Sequence, residues 1–262
     1  MQLIAADIGN SSTKIAVEHS GDDNRWSSSL VFRDNQEFGD DFQPLGSKTP
    51  AFWSISNVNA ERLSQLANWV AAHRPDDRFH VIAPSEVSLK SDIESRDQLG
   101  IDRLIAAWMA TVLDDQSGPL IVVDAGTAVT IDYVDANEVF RGGVIFPGAG
   151  SNFRQLSNDT DALPNLERSK RVAMARKKII GRSTHEAIIQ GVFQSQIAAI
   201  QGIVARMAKI SKQTTSVYVT GGGIADIVDR LPEHWNDVPD LVLQGAKAIG
   251  ARLVNESSDA AD

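Results

Sequence analysis

The sequence predicts an α/β fold that is built twice, with a cleft between the two halves. The first observation is a repeated short motif, Asp7-Ile8-Gly9-Asn10-Ser11 and Asp124-Ala125-Gly126-Thr127. The second is that each copy follows an apolar run and precedes a segment of alternating apolar residues, which is typical of strand, tight turn and strand. The third is that strands precede helices in both halves. A duplication of one α/β unit accounts for all three observations.

The chemistry of the repeated turn favours a phosphate ligand. A glycine lets the backbone approach a phosphate closely, and N–H groups with a hydroxyl can hold its oxygens. The carboxylate that begins each motif can hold a cation that offsets the phosphate charge. A single copy of such a motif is also found in ordinary tight turns. Two copies in matched settings predict that a polyphosphate such as ATP binds between the halves.

The first half reads as several strands and two helices. The predicted strands are Leu3–Asp7, Thr13–Glu18, Trp26–Phe32, Ala51–Ser56 and His80–Ala83. The acidic stretch Asp34–Lys48 is predicted to be a loop. Asn59 is a candidate cap for a helix in which apolar residues recur at helical spacing, and a second amphipathic helix begins near Leu104 and ends before Gly118-Pro119.

The second half begins with a strand at Leu120–Val123 and its hairpin. Further predicted strands are Val139–Arg141, Val144–Phe146 and Val217–Thr220, and the last helix is predicted over Gly245–Val254 with a frayed tail over Asn255–Asp262. Ser183 and Glu186 fit a capping box at the start of the longest helix, whose apolar face suggests a dimer interface. We therefore predict two domains, residues 1–116 and 117–262.

Composition narrows the class of protein. The 262 residues have 25 basic and 34 acidic side chains, a net charge of −9, and no cysteine. An acidic chain argues against bulk attraction to nucleic acid or an anionic membrane, and the absence of cysteine excludes disulfides and thiolate chemistry. The sequence contains no run of about 18 to 20 uncharged apolar residues and no evident signal peptide. A cytoplasmic protein is the expectation.

Two further segments are candidates for the site. Gly221-Gly222-Gly223 follows a buried-type strand, and its backbone could pack flat against a nucleotide, although a flexible turn is the plainer interpretation. Gly100-Ile101-Asp102-Arg103 lies at the start of a helix. Asp102 there is either a simple N-terminal charge or a catalytic base, and the Arg103 guanidinium can bind a carboxylate with two hydrogen bonds.

In order along the chain, these motifs resemble those of the type III pantothenate kinases. The resemblance includes the two Asp-x-Gly motifs, Gly100–Arg103, Gly143–Gly148, Gly181–Thr184 and Thr220–Gly222, and it covers the chain from residue 3 to about residue 250. It implies duplicated ribonuclease H-like domains of the actin-like ATPase type with an inter-domain nucleotide cleft. It further implies ATP-dependent phosphorylation of the primary hydroxyl of pantothenate to 4'-phosphopantothenate, the first step of coenzyme A synthesis.

The resemblance also implies a role for each matching residue. Asp102 would be the catalytic base, and Gly100, Arg103 and Thr184 would bind pantothenate, Thr184 from the neighbouring subunit of a homodimer. Asp7 would orient the Mg²⁺ of ATP, and Asp124 would ligate a monovalent cation, K⁺ or ammonium. The remaining implied ATP-binding residues are Gly9, Asn10, Ser11, Lys14, Gly126, Thr127, Thr130, Gly221 and Gly222.

The chain departs from the family pattern upstream of Gly100. Many members have a proline and a tyrosine where this chain has Arg96 and Ile93, which affects the expected shape of the substrate pocket. Two alternatives stay open. One is a related kinase that acts on another small alcohol, such as a sugar. Arg103 argues against a neutral sugar, because its positive charge suits an anionic acceptor. The other is an accessory factor for gene expression, for which the basic run from Arg168 to Arg182 would serve a partner.

Overall fold

The structure is a computed structural model, and it describes residues 2–18, 30–33, 36, 38, 49–158 and 179–259. The strands are β1 (Gln2–Ile8), β2 (Ser12–Val17), β3 (Leu30–Arg33), β4 (Ala51–Asn57), β5 (Arg78–Val81), β6 (Lys90–Ser91), β7 (Leu120–Ala125), β8 (Ala128–Val134), β9 (Val139–Pro147), β10 (Ser216–Thr220) and β11 (Asn236–Asp237). The α-helices are α1 (Ala60–His73), α2 (Ile101–Leu113), α3 (Ala149–Asn158), α4 (Thr184–Met207) and α5 (Leu241–Asp259).

The first compact unit contains residues 1–113 and 240–262. Its sheet has the order β3-β2-β1-β4-β5, in which β1 to β3 are antiparallel neighbours and β1, β4 and β5 run parallel. One face carries Ile4, Trp53 and Ile55 against Leu66 and Val70 of α1. The other face is covered by α5, which packs on β1, β4 and α2. The unit therefore has a helix layer on each side of one sheet.

The second unit, residues 114–239, repeats this strand order as β9-β8-β7-β10-β11. Here β7 to β9 are antiparallel neighbours, and β7, β10 and β11 run parallel. Its core joins strands β7, β8 and β10 to the inner face of α4. The duplication predicted from the repeated motif is thus present strand by strand, and the predicted α/β fold class is confirmed.

The boundary between the units differs from the predicted division at 116/117. The chain passes from the first unit to the second between Leu113 and Asp114, close to the predicted division. From Asp240 onward, however, the residues belong to the first unit again. The physical reason is the apolar face of α5, whose Leu241, Ala246 and Ile249 are fully buried. The repeated motif does not predict that α5 packs in the first unit.

Several element boundaries also differ. The two strands predicted around Gly142-Gly143 are one strand, β9, in which Gly142 has a φ of +91° and the pairing with β8 shifts register. The last helix continues to Asp259, so the frayed tail predicted from Asn255 is wrong over residues 255–259. The sequence does not predict helix α3, because its glycine and serine residues weaken the helical pattern.

Helix α4 is the longest of the described helices, as predicted, with 24 residues. It is long and apolar enough to pass a composition test for a membrane span, but 44% of that window is buried inside the protein. A core helix passes the same test, and Ile189, Phe193 and Ile200 of α4 belong to the core of the second unit. The capping box is half formed: the Ser183 hydroxyl accepts from Glu186 N, whereas the Glu186 carboxylate accepts from Arg182 N.

Candidate functional site

The first repeated motif forms a tight turn between β1 and β2. The Gly9 N–H donates to the Ser12 carbonyl at 3.0 Å, so the glycine closes the turn, while Asn10 and Ser11 are exposed at its tip. Asp7 lies just before the turn and is partly exposed. The hairpin therefore presents a carboxylate, an amide and a hydroxyl at the carboxyl end of β1.

Lys14 lies beside Asp7 on the neighbouring strand and contacts the start of α5. The two residues are paired in register across β1 and β2. The Lys14 Nζ lies 2.8 Å from the Asp240 Oδ1, in an ion pair whose side chains are 19% and 34% exposed. Asp240 has a φ of +56°, a region that aspartate tolerates better than most residues. The same carboxylate opposes the effect of burial on Lys247, whose pKa burial lowers from its ordinary value.

Gly100, Asp102 and Arg103 form the start of α2. The Asp102 Oδ1 accepts from the Arg103 N–H at 2.9 Å. A Cβ on Gly100 would lie 2.5 Å from that same oxygen, so only glycine leaves the carboxylate its place. Burial raises the pKa of Asp102 above its ordinary value, although the Arg103 N–H and the Arg103 charge both act to lower it. A carboxylate with a raised pKa is better matched to accepting a proton near neutral pH.

Arg96, one of the two departures from the family pattern, has a structural contact set. Its guanidinium donates to the carbonyls of Pro84 and Val87 at 3.0 and 3.1 Å, and to the Ser91 hydroxyl at 3.3 Å. Ile93 is partly exposed in the same loop. Arg96 therefore ties together the segment that leads into Gly100.

The second repeated motif forms an equivalent turn in the second unit. The Gly126 N–H donates to the Ala128 carbonyl at 2.9 Å, and Gly126 and Thr127 are exposed. The Thr127 carbonyl accepts from Gly148 N at 2.9 Å and from the Ser151 hydroxyl at 2.7 Å. The start of helix α3 therefore holds this turn in place through the Thr127 carbonyl. Gly148 lies within a motif that the sequence shows, whereas no motif marks Ser151.

Asp124 lies between two threonines at the carboxyl end of β7. Thr130 on β8 and Thr220 on β10 are both paired with it in register. Gly221 follows Thr220 with a φ of +96°, and a Cβ there would lie 2.2 Å from the Asp124 Oδ1 and 2.6 Å from the Ala125 carbonyl oxygen. Two oxygens thus border the space that this glycine leaves empty. Carboxylate and carbonyl oxygens suit hard cations.

The structure places the remaining predicted residues as follows. Gly222 is exposed, with nothing within 4 Å of a Cβ built on it. Thr184 is exposed at the first turn of α4. Arg182, the described end of the basic run, is exposed, and the rest of that run lies outside the described residues. Across the described ranges, no three His, Asp or Glu side chains group into a metal-binding cluster.

Comparison with known proteins decides the family. A family model described as type III pantothenate kinase matches residues 3–206. The chain belongs to the type III pantothenate kinase family. It is an enzyme family of kinases, and the exposed hairpin motifs and the Gly100–Arg103 segment of this chain lie within the matched region.

Individual relatives agree with this family. A type III pantothenate kinase from Rhodopirellula baltica is 38% identical over 169 residues, which are 64% of this chain and 60% of that protein. One from Desulfovibrio desulfuricans is 30% identical over 95% of this chain and 96% of its own length. The family relationship therefore extends over nearly the whole chain.

Two solved structures of low sequence identity share the fold of this chain. A putative Baf family transcriptional activator from Campylobacter jejuni has a TM-score of 0.58 with 23% identity, covering 96% of this chain and 99% of its own. The activator of 2-hydroxyisocaproyl-CoA dehydratase from Clostridium difficile, with bound ADPNP, has a TM-score of 0.56 with 13% identity, covering 99% and 97%. This chain shares its fold with both of these proteins.

Proposed function

We propose that this protein transfers the γ-phosphoryl group of ATP to the primary hydroxyl of pantothenate, giving 4'-phosphopantothenate and ADP in the first step of coenzyme A synthesis. The proposal combines the family membership with the arrangement of this chain's own residues. Phosphoryl transfer needs positioning and charge neutralisation more than covalent help, and both hairpin turns supply groups suited to that task.

The observation that carries the proposal is the position and burial of the Asp102 carboxylate. It lies at the start of α2 beside Arg103, and burial raises its pKa towards the range in which a general base works. The Arg103 side chain is partly exposed and can bind a substrate carboxylate. A base next to a carboxylate-binding cation matches an acceptor that carries both a hydroxyl and an acid, as pantothenate does. A neutral sugar has no carboxylate for Arg103 to bind.

In the proposed mechanism, the acceptor oxygen attacks the γ-phosphorus while Asp102 takes the hydroxyl proton. The bond from the γ-phosphorus to the oxygen shared with the β-phosphate breaks, and ADP leaves with that electron pair. Arg103 and the Gly100 backbone hold the acceptor's carboxylate. The residues that would surround the phosphates are Gly9, Asn10, Ser11, Lys14, Gly126, Thr127, Thr130, Gly221 and Gly222.

The donor chemistry fits the cations that the family implies. Mg²⁺ usually binds through one or two carboxylates together with substrate phosphates, and Asp7 offers one carboxylate beside an exposed turn. Asp124, with the Ala125 carbonyl nearby, offers oxygens for K⁺ or ammonium. These cations would neutralise charge on the phosphates.

We further propose a cytoplasmic homodimer in which Thr184 reaches the pantothenate of the neighbouring subunit. Two features support this. Thr184 is exposed at the start of α4, and Leu156 and Ile188 border an apolar groove of about 400 Å³ between α3 and α4. Sedimentation of the purified chain tests the dimer, and mixing Thr184→Ala with Asp102→Asn subunits tests whether sites are shared.

The experiment that tests the function is ADP release from Mg·ATP with and without pantothenate, in potassium and in sodium buffer. Asp102→Asn should lower turnover by about 10²- to 10⁴-fold, the usual contribution of a general base, with ATP affinity nearly unchanged. Glu94→Gln, at an exposed carboxylate of the same unit, is the matched control. Wild-type turnover in Asp102→Asn would refute the assignment of the base.

The same assay separates the alternatives. Pantothenate-dependent release that rises with potassium supports both the reaction and the role of Asp124. Release with another alcohol but not with pantothenate would indicate a different kinase. No release with any acceptor, together with DNA binding in a shift assay, would favour the gene-expression reading.

A further inference from the structure

A row of three polar residues crosses the sheet of the first unit at the level of Asp7. Lys14 on β2, Asp7 on β1 and Ser56 on β4 are paired in register on adjacent strands. Residues paired in this way point to the same face of a sheet, and neighbouring strands lie about 4.8 Å apart. Asp7 therefore has a lysine on one side and a serine on the other.

The face to which they point is the one covered by α5. Ser54, two residues before Ser56 on the same strand, donates its hydroxyl to the Ala246 carbonyl of α5 at 2.8 Å. A Cβ on Gly250 of α5 would lie within 3 Å of Leu3 and Ser54, and Leu3 precedes Asp7 by four residues on β1. Because side chains alternate along a strand, Ser56 and Asp7 share this face.

Ser56 is fully buried, and its hydroxyl has no hydrogen-bond partner among the described residues. A buried hydroxyl without a partner costs free energy, so such groups usually have a reason to be retained. The nearest register partner with acceptor oxygens is the carboxylate of Asp7. That carboxylate is partly exposed and can turn about its own side-chain bonds.

We propose that Ser56 is a positioning residue for Asp7, donating a hydrogen bond to its carboxylate when the carboxylate turns to the Mg²⁺ of bound ATP. The inference rests on the proposed function for the nucleotide but not for the acceptor. The second unit has a corresponding arrangement, because Thr220 places a buried hydroxyl in register with Asp124. A hydroxyl next to the motif aspartate, on the adjoining parallel strand, is therefore a feature of both repeats.

An unpartnered hydroxyl alone does not carry this proposal. Thr13 on β2 is equally buried, and its hydroxyl also has no partner among the described residues. Thr13 alternates with Lys14, however, so it points to the opposite face, where Ile15 and Val17 pack against the core. The face, together with the register to Asp7, distinguishes Ser56 from Thr13.

The test measures ligand binding and stability separately. Calorimetric titration with Mg²⁺ and a non-hydrolysable ATP analogue is made on wild type, Ser56→Ala, Ser54→Ala and Thr13→Val, and urea unfolding is measured without ligand. Ser56→Ala should weaken binding about tenfold, the usual effect of losing a hydrogen bond to a charged group, with unliganded stability unchanged or higher. Ser54→Ala should lose stability and keep its affinity, and Thr13→Val should keep its affinity.

Three results would overturn the proposal. The first is an affinity of Ser56→Ala within twofold of wild type, and the second is a parallel loss of affinity and of unliganded stability. The third is an equal loss of affinity in Thr13→Val. A wild-type chain that binds the analogue but does not phosphorylate pantothenate refutes the proposed acceptor and leaves the affinity ratio to decide the role of Ser56. A wild-type chain that binds no nucleotide refutes both.

Discussion

Replacing Gly221 by alanine is expected to destabilise the second unit and to move the Asp124 carboxylate. The new Cβ would lie 2.2 Å from the Asp124 Oδ1 and 2.6 Å from the Ala125 carbonyl oxygen, both well inside contact distance. The carboxylate can rotate away, but the carbonyl belongs to β7 and cannot move without the strand. The Ala125 carbonyl also accepts from Gly223 N at 2.7 Å, which holds it further.

The magnitude follows from two costs and one gain. A φ of +96° is strained for any residue with a Cβ, at about 1–2 kcal/mol. Overpacking against a backbone that cannot relax adds about 1–3 kcal/mol. The reduced freedom of the unfolded chain returns about 0.4–1 kcal/mol. Combined, these terms predict a net loss of about 1–4.6 kcal/mol in the free energy of unfolding.

Gly222→Ala is the matched control, since the substitution is the same and only one residue away. Nothing lies within 4 Å of its Cβ, and its φ lies outside the left-handed region. It should unfold within about 1 kcal/mol of wild type. If Gly222 packs against the nucleotide as proposed, the same variant should raise the KM for ATP without lowering stability.

Urea unfolding followed by circular dichroism measures both variants, with the slope of the transition as a check that the unfolded state is unchanged. The potassium dependence of ADP release in Gly221→Ala then reports on Asp124. Equal stability of the two alanine variants would refute the structural reasoning about Gly221. Loss of stability with an unchanged potassium response would refute the role of Asp124 instead.

Further substitutions test other parts of the site and fold. Burial raises the pKa of Asp102, so folding penalises its ionised form, and Asp102→Asn should unfold at higher urea than wild type at pH 8. The difference should shrink as the pH falls through the raised pKa of Asp102 and should be lost below the ordinary aspartate pKa. A higher stability of wild type at pH 8 would contradict this sign. A double-mutant cycle of Lys14→Met and Asp240→Asn should give a coupling free energy of about 0.5–1 kcal/mol, a value already discounted for the partial exposure of both side chains. This coupling should decrease in high salt. A coupling near zero would mean that the ion pair contributes nothing to stability. Gly202→Ala, in α4, should stabilise the folded protein by about 0.5–1 kcal/mol, because nothing lies within 4 Å of the new Cβ. Gly250→Ala, in α5, should destabilise it, because the new Cβ would meet Ser54 and Leu3. Thermal unfolding of both variants shows whether the two effects have opposite signs.

The fold was largely predictable from sequence because its strongest signals are local and repeated. The Asp-x-Gly turns, the alternation after them and the Asn59 cap, whose side chain accepts from Arg62 N at 3.0 Å, are all encoded within a few residues. The fold class and the longest helix follow from such signals. Helix α3 does not, because Gly150 and Ser151 in its first turn favour turns, and the burial of Phe153 against the core is a tertiary effect.

The site was predictable only where a motif marks it. Gly100, Asp102 and Arg103 adjoin in sequence, so their contact is local. Asp240 and Ser56 have no such mark, since Lys14 meets Asp240 across 226 residues and Ser56 is set beside Asp7 by strand pairing alone. Contacts of this kind depend on which strands and helices become neighbours, and a single sequence with its local periodicity does not specify that.

The return of α5 to the first unit affects the order in which the chain can mature on the ribosome. The sheet of that unit is complete once Val81 has been made, but the helix that buries its Asp7 face emerges only after the whole second unit. Until then, Leu3 and Ala5 lack the cover that α5 gives them. The second unit is continuous from 114 to 239, so all of its residues are available to fold before the first unit receives α5.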